Sequence, residues 1–406
     1  MHDKPLIVLY THKLPYPHDT GTNQRIKTLV AYLRQRYRVG LVVPTYHVDI
    51  EHLEQDYDGI WYGSRYDSLW NKLRWQAGLR IKRFLLQIKV GASVLRTGNP
   101  MARISVHAAW QLYRVCRKET VALVIVQKIL NTVPATAIAH HLRIPVVLDT
   151  HDLFYIGKAS KPESAIRLTA SNIHTATAQD ELSVLRQYDA LIAIQHEDAD
   201  ILRQQLPSMP VITALHPINA IRGRPVFQNP HTSSLLFVGS ASAHNVDSLN
   251  FFLTDCFPNI VRQCPDIQLD ICGSVTTTVA ISLPNVYLHG RVENLDDYYA
   301  AATLVINPIL AGSGLKIKTV EALAHGKCLV TTPIGIEGLV GIHESVVCVQ
   351  PELLTESIIR LLQQPDLILA YEEKALGYAQ NNLDEEICYQ EMSLLIEKLT
   401  TKRNIP

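Results

Sequence analysis

The chain has 406 residues and no excess of either charge: Lys plus Arg number 38, and so do Asp plus Glu. That balance excludes a global attraction for nucleic acid and leaves only local patches to consider. Gly (19) and Pro (21) are too few for a low-complexity chain. The seven cysteines (Cys116, Cys256, Cys264, Cys272, Cys328, Cys348 and Cys388) are an odd number and form no Cys-x-x-Cys pair. Most stand in apolar stretches such as LDIC and KCLV, so they read as reduced, buried thiols of a cytosolic protein rather than as disulfides or zinc ligands. No apolar run approaches the roughly 20 residues of a membrane-spanning helix. The opening MHDKPLIVLYT turns polar too soon for a signal peptide or an anchor. A cytoplasmic protein is expected, and any membrane contact should be peripheral, at the inner face.

Several catalytic signatures are also missing. A dinucleotide oxidoreductase needs Gly-x-Gly-x-x-Gly after a strand, and neither Gly21 nor Gly239 sits in one. There is no Gly-x-x-x-x-Gly-Lys-Ser/Thr phosphate loop. His-Glu-x-x-His is absent, and His140 and His141 are adjacent, which does not suit a zinc hydrolase.

What is present is a regular alternation of short β-branched runs with longer amphipathic stretches, the pattern of βαβ units and parallel sheets. Strands are expected at 6–11, 39–44, 122–127, 146–149, 190–194 and 211–215. The series restarts with 235–239, 267–273, 286–290, 303–308, 327–332 and 345–349. The turn-rich HPINAIRGRPVFQNPHTSS (216–234) separates the two series. The expected division is an N-terminal Rossmann-like domain over 1–215, a linker over 216–232, a C-terminal Rossmann-like domain over 233–380, and a helix over 381–406 that could pack back on the first domain. Chemistry belongs in the loops beyond the carboxyl ends of the strands.

The most informative segment is NPILAGSGLKIKTVEALAHGKCLVTTPIGIEG, residues 307–338. Gly312 and Gly314 let backbone amides approach a ligand closely, and a helix beginning near Leu315 aims its positive end at the same spot. A phosphate or diphosphate fits there without a metal. Lys316 and Lys318 add charge, and Glu321, one turn in, can accept hydrogen bonds from sugar hydroxyls. Singly, each residue reads equally well as a turn glycine, a solvated lysine or a helix-favouring Glu; the combination is what points to a site.

This segment resembles the donor-site signature of glycosyltransferase family 4, whose members retain anomeric configuration and have the GT-B fold, two Rossmann-like domains with parallel sheets facing a cleft. The family carries two Glu residues with seven between them. Here the second is Glu321, while Ser313 stands at the first position, which aligns the chain with a Gly-Ser-Gly…Lys…Glu-Ala-Leu-Ala branch. The resemblance implies that Glu321 holds ribose hydroxyls, that amides near Gly314 and Leu315 meet the donor, and that Ser313 bears on sugar recognition. LLFVGSASAHNVDSLNFF (235–252) resembles the loop facing the diphosphate, implying roles for Gly239 and Ser240. Ser240, Ser242, His244 and Asn245 replace the usual Arg and Lys there, so Lys318 is expected to supply the charge. Arg291 and Val292 match the base-binding stretch. In the first half, Gly21, Thr22 and Arg25 match the family's first loop, under the donor phosphates. His151 and Asp152, after a strand, match a His that touches sugar or acceptor, with Asp152 also able to fix the His151 tautomer.

The function this implies is transfer of a sugar from a nucleotide sugar to a glycan, lipid-linked or small-molecule acceptor, with no cofactor and no metal. The alternatives are a non-catalytic GT-B module and a GT-B nucleotide-sugar epimerase. Residues 65–96 carry eight basic residues against one acid, Asp67. Trp70, Leu73, Ala77, Ile81, Phe84, Ile88, Ala92 and Leu95 form an apolar stripe at helical spacing. Either the stripe meets the core, or the basic face docks on anionic lipid.

Overall fold

The computed structural model describes residues 4–11, 14–16, 21–44, 51–62, 69–91, 105–129, 133–156, 176–218, 233–279, 283–312 and 315–401. The chain divides into two compact units, one made of residues 1–18, 22–214 and 390–406, the other of 19–21 and 215–389.

The first unit is built on seven strands, β1 (Leu6–Tyr10), β2 (Arg38–Val42), β3 (Gly59–Trp61), β4 (Val121–Gln127), β5 (Val146–Asp149), β6 (Ala190–Ala193) and β7 (Val211–Thr213). They lie in the order β3-β2-β1-β4-β5-β6-β7, every pair parallel. Helices α1 (Gly21–Arg34), α2 (Glu51–Glu54), α3 (Leu69–Lys89), α4 (Val106–Lys118), α5 (Val133–His141), α6 (Ala178–Leu185) and α7 (His196–Gln205) connect them. LIVLY and VALVIV are unbroken apolar runs because β1 and β4 are buried throughout, as central strands of a sheet covered on both faces are.

The second unit repeats the plan with β8 (Ser234–Val238), β9 (Gln268–Cys272), β10 (Val286–Gly290), β11 (Leu304–Asn307), β12 (Leu329–Thr331) and β13 (Val347–Cys348), in the order β10-β9-β8-β11-β12-β13. All its pairs are parallel. Its helices are α8 (Ala243–Phe251), which runs through a π-helical turn into α9 (Phe257–Gln263), then α10 (Asp296–Ala301), α11 (Ile317–Ala324), α12 (Leu354–Leu362) and α13 (Pro365–Asn382). Phe237, Phe252, Phe257, Ile271, Ile306 and Val330 pack in its core. A buried Lys327 ties α13 to the sheet, donating to the Ala302 carbonyl at 3.0 Å with its Nζ 3.6 Å from Glu372.

The last helix, α14 (Glu385–Thr401), sends its residues from 390 onward into the first unit. There the Tyr32 hydroxyl bonds Ser393 Oγ, and Glu391 accepts the Thr213 N–H at 2.9 Å. All seven cysteines are free thiols, five of them buried.

Both sheets are thus the expected Rossmann-like arrangement, and each reverses its strand order once, between β1 and β4 and between β8 and β11. Loops at such reversals diverge to opposite faces and leave a crevice at the strand ends, which is where ligands bind in this architecture.

Candidate functional site

In the second unit, the segments singled out in the sequence lie on the two sides of the β8/β11 reversal. Gly239 and Ser240 follow β8. The Gly239 amide donates to Cys272 and its carbonyl accepts from Val275, which ties the loop to the end of β9. Gly273 makes that approach possible: its φ is +102°, and a Cβ there would sit 2.2 Å from the Gly239 carbonyl oxygen.

After β11 the chain turns back through Gly312, whose φ of +138° suits glycine alone and whose missing Cβ would lie 3.9 Å from the His244 ring at the start of α8. Ser313 and Gly314 lie outside the described residues. The helix begins at Ile317 rather than near Leu315, because Leu315 turns into the interior and Lys316 takes an extended N-cap conformation. Thr319, fully buried, fixes the first turn by donating to the Gly335 carbonyl at 2.7 Å and accepting from Asn307 Nδ2 at 3.0 Å. The register of α11 is therefore set by the ends of β11 and β12.

That register gives Lys318 and Glu321 different supports. Lys318 Nζ donates to Asn245 Oδ1 at 2.6 Å and lies 4.8 Å from the centre of the Phe237 ring. Asn245 in turn donates to the Ser240 carbonyl at 2.9 Å. Burial, reinforced by the charge of Lys316 and partly countered by Glu321, pushes the Lys318 ammonium down to about 7. Lys316 is directed elsewhere, its Nζ 3.4 Å from Glu337. Glu321 accepts from the hydroxyl of Tyr299, a buried α10 residue stacked on His325 at 4.2 Å and 10°. Burial first, and Glu321 second, raise the Tyr299 phenol well above its ordinary value, so it stays protonated as a donor. Arg291 and Val292 lie just past β10, Arg291 exposed and Val292 half-buried.

Three of these supports, Asn245, Tyr299 and His325, were not singled out as site residues. The sequence signal for Asn245 was an apparent loss, a polar residue where a basic one is usual. Tyr299 and His325 carried no separable signal in DDYYAAA and EALAHG.

Gly21, the last residue of the short 19–21 piece grouped with the second unit, and Thr22, of the first unit, open α1, Gly21 exposed and Thr22 half-buried. Arg25 is not at the surface. Its Nε lies 3.0–3.1 Å from both Asp149 oxygens, Nη2 is 2.8 Å from Oδ1, and Nη1 donates to the Ala214 carbonyl at 2.9 Å. The guanidinium is committed to a buried carboxylate at the end of β5. Burial alone would push Asp149 up, but Arg25, His151 and the hydrogen bonds from Arg25 and Gln127 outweigh it and hold the carboxyl below its usual range.

His151 is 4% exposed and has a φ of +59°, a left-handed conformation unusual for a residue with a side chain. Its Nε2 lies 2.6 Å from Gln127 Oε1 and 3.5 Å from Asp149 Oδ2. These two groups, and not Asp152, fix its tautomer; Asp152 instead lies 3.5 Å from Lys128 Nζ. Burial lowers the His151 imidazole to about 4 against the pull of Asp149, so it is neutral at neutral pH. The loop that follows is anchored by Glu181 of α6, whose carboxylate accepts the backbone N–H groups of Phe154, Tyr155 and Ile156 at 2.8–2.9 Å.

Among the described residues, no three His, Cys, Asp or Glu side chains gather as a metal site. The chain has two Asp-x-Asp triplets, Asp56-Tyr57-Asp58 and Asp198-Ala199-Asp200, both in the first unit. Asp58 accepts the Val39 N–H at 2.8 Å, a structural use.

Residues 232–364 match the family model described as Glycosyl transferases group 1. A Klebsiella pneumoniae protein, described as an uncharacterized 44.6 kDa protein in the cps region, is 25% identical over 213 residues, 49% of this chain and 54% of the relative. The match thus spans about half the length of that curated relative. A glycosyltransferase structure from Rickettsia africae superposes with a TM-score of 0.66 at 11% identity, covering 98% of this chain and 99% of that one. Anabaena HepE in complex with UDP-glucose superposes with a TM-score of 0.64 at 12% identity, covering 97% and 99%. Residues 232–364, which hold the β8/β11 reversal and α11, thus match the group 1 glycosyltransferase model, in a chain whose two parallel sheets have the GT-B fold.

Proposed function

We propose that the protein is an enzyme of polysaccharide or glycolipid assembly that moves a sugar from a nucleoside-diphosphate sugar to a glycan, lipid-linked or small-molecule acceptor, with retention of configuration and without a metal. The observation that carries this reading is the meeting of the Gly239 loop, the Gly312 turn, Lys318 and Glu321 at one strand reversal, inside the segment that matches the glycosyltransferase model. In this reading residues 233–380 hold the donor: Glu321 takes the ribose, the backbone near Arg291 and Val292 takes the base, and Lys318 with the amides around Gly314 and Leu315 takes the diphosphate. Residues 1–215 supply the acceptor side. Gly21 and Thr22 approach the donor phosphates, and Arg25 acts through Asp149 and His151. As the sugar departs in an oxocarbenium-like state, negative charge grows on the leaving diphosphate, and fixed amides with one lysine stabilise it without reorganising.

Calorimetric titration with a panel of nucleoside diphosphates tests the site, and uridine nucleotides come first because the Anabaena neighbour holds UDP-glucose. Glu321→Ala is expected to weaken every nucleoside diphosphate and to lose discrimination against the 2′-deoxy form. Tyr299→Phe should show a smaller loss of the same kind, by about 1.5–3 kcal/mol, the range for a hydrogen bond to a charged group. Parent-like binding by both variants would place the ribose elsewhere. Transfer is also expected to persist in excess chelator, and full loss restored by magnesium would refute metal independence.

A donor-binding module without transfer is the second reading, favoured by Ser240 and Asn245 standing where basic side chains are usual. Turnover of bound nucleotide sugar in the presence of glycan and lipid-linked acceptors separates the two.

A further inference from the structure

The sequence leaves two fates for the apolar stripe of residues 65–96, and the described half of α3 separates them. Leu86 is fully buried and fastens the helix, whereas Ile81 (61% exposed), Phe84 (62%) and Ile88 (64%) project outward. Their spacings of three and four put them along one face. Arg80, Arg83 and Lys89 are exposed around them. Trp70, Leu73 and Ala77 have side chains outside the described residues, as do Ala92 and Leu95.

α3 packs against α4, where Lys82 Nζ lies 3.4 Å from His107 Nδ1. On α4, Arg114, Arg117 and Lys118 are exposed. Between Asp67 and Glu119 the chain has no Asp or Glu at all and eleven Lys or Arg, in a protein whose charges otherwise cancel.

We propose that this acid-free two-helix face docks on an anionic lipid bilayer. Ile81, Phe84 and Ile88 enter the boundary between headgroups and acyl chains, while Arg80, Arg83 and Lys89 take headgroup phosphates. Nucleic acid would satisfy the basic side chains but offers these three apolar ones little dry surface. An acidic protein would have to supply an apolar groove as well. A bilayer interface accepts both kinds of side chain at once, and two modest signals together give a stable, reversible anchor. Among the described residues no helix is long and apolar enough to cross a membrane, so the contact lies in the interface plane. The proposal does not depend on the sugar-transfer reading.

Co-sedimentation of the full chain with vesicles tests it, comparing pure phosphatidylcholine with equal parts phosphatidylcholine and phosphatidylglycerol. The parent is expected to pellet with the anionic vesicles at low salt and to be released as salt rises. The triple change Arg80→Gln, Arg83→Gln, Lys89→Gln should lower partitioning on the order of a hundredfold, about fivefold for each basic side chain lost. Phe84→Ser with Ile88→Ser should lower it by about tenfold or more at every salt concentration. Amide exchange of residues 80–89 should slow in the presence of anionic vesicles. Unchanged circular dichroism and thermal unfolding establish that the variants fold. Absence of pelleting at low salt overturns the proposal, as does pelleting that the variants leave unchanged. Preference for duplex DNA over vesicles, or self-association that Phe84→Ser abolishes, would assign the face to another partner and equally overturn it.

Discussion

Nucleoside diphosphate binding is expected to weaken from about pH 7.5 to about pH 9.5, approaching tenfold per pH unit, and to lose this pH dependence in Lys318→Met. The sign follows from the surroundings of Lys318. In the unliganded protein its ammonium is held down to about 7 by burial and by Lys316, with Glu321 pulling partly the other way. A bound diphosphate favours the charged form and so raises its pKa in the complex. Above pH 7 the complex therefore holds more protons than the free protein, and affinity falls as pH rises until the pKa of the complex is passed. Calorimetry in two buffers of different ionisation enthalpy near pH 8 should report uptake of a substantial fraction of a proton by the parent and none by the variant. Lys318→Met should also bind more weakly near neutral pH, by about 1.5–3 kcal/mol. A flat pH profile in the parent, with no proton uptake, would show that Lys318 does not face the phosphates.

Arg25→Met is expected to destabilise the first unit by about 3–5 kcal/mol, the usual cost of leaving one member of a buried ion pair alone. Both partners have almost no exposed surface, so water cannot replace the guanidinium. Replacing the pair together, as Arg25→Met with Asp149→Leu, should recover much of the loss because no charge is then stranded. Differential scanning calorimetry of parent, single and double variants measures this. The single variant should also lift the His151 imidazole from about 4, since Arg25 is among the groups holding it down while Asp149 pulls it up. Imidazole titration by NMR reads that shift. A single variant as stable as the parent would refute the buried pairing.

The sheets were legible because their central strands are buried on both faces: runs such as LIVLY and ALVIV are apolar without interruption, and each falls within a residue or two of an observed strand. β3 went unseen, since a three-residue edge strand, Gly59–Trp61, offers too short a pattern to separate from a loop. Glu321 and Lys318 were readable from their spacing after two glycines. Their supports were not, because Asn245 reaches Lys318 across 73 positions and Tyr299 reaches Glu321 across 22. Arg25 misled for a related reason. An arginine on the first turns of a helix looks like an anion ligand, and only the fold brings Asp149, 124 positions away, beneath it. The stripe on α3 likewise showed its period but not its direction, which among the described side chains is set by Leu86 reaching the interior while Ile81, Phe84 and Ile88 do not.

The path of α14 has a consequence for how the chain is made. The first unit needs residues 390–401, so a part synthesised early is completed by one synthesised well after it. Until then Tyr32 and the Thr213 N–H lack the partners that the final helix brings. An N-terminal fragment ending at the boundary near residue 214 would carry the same open seam for good. Expressing that unit alone therefore calls for grafting the final helix onto it.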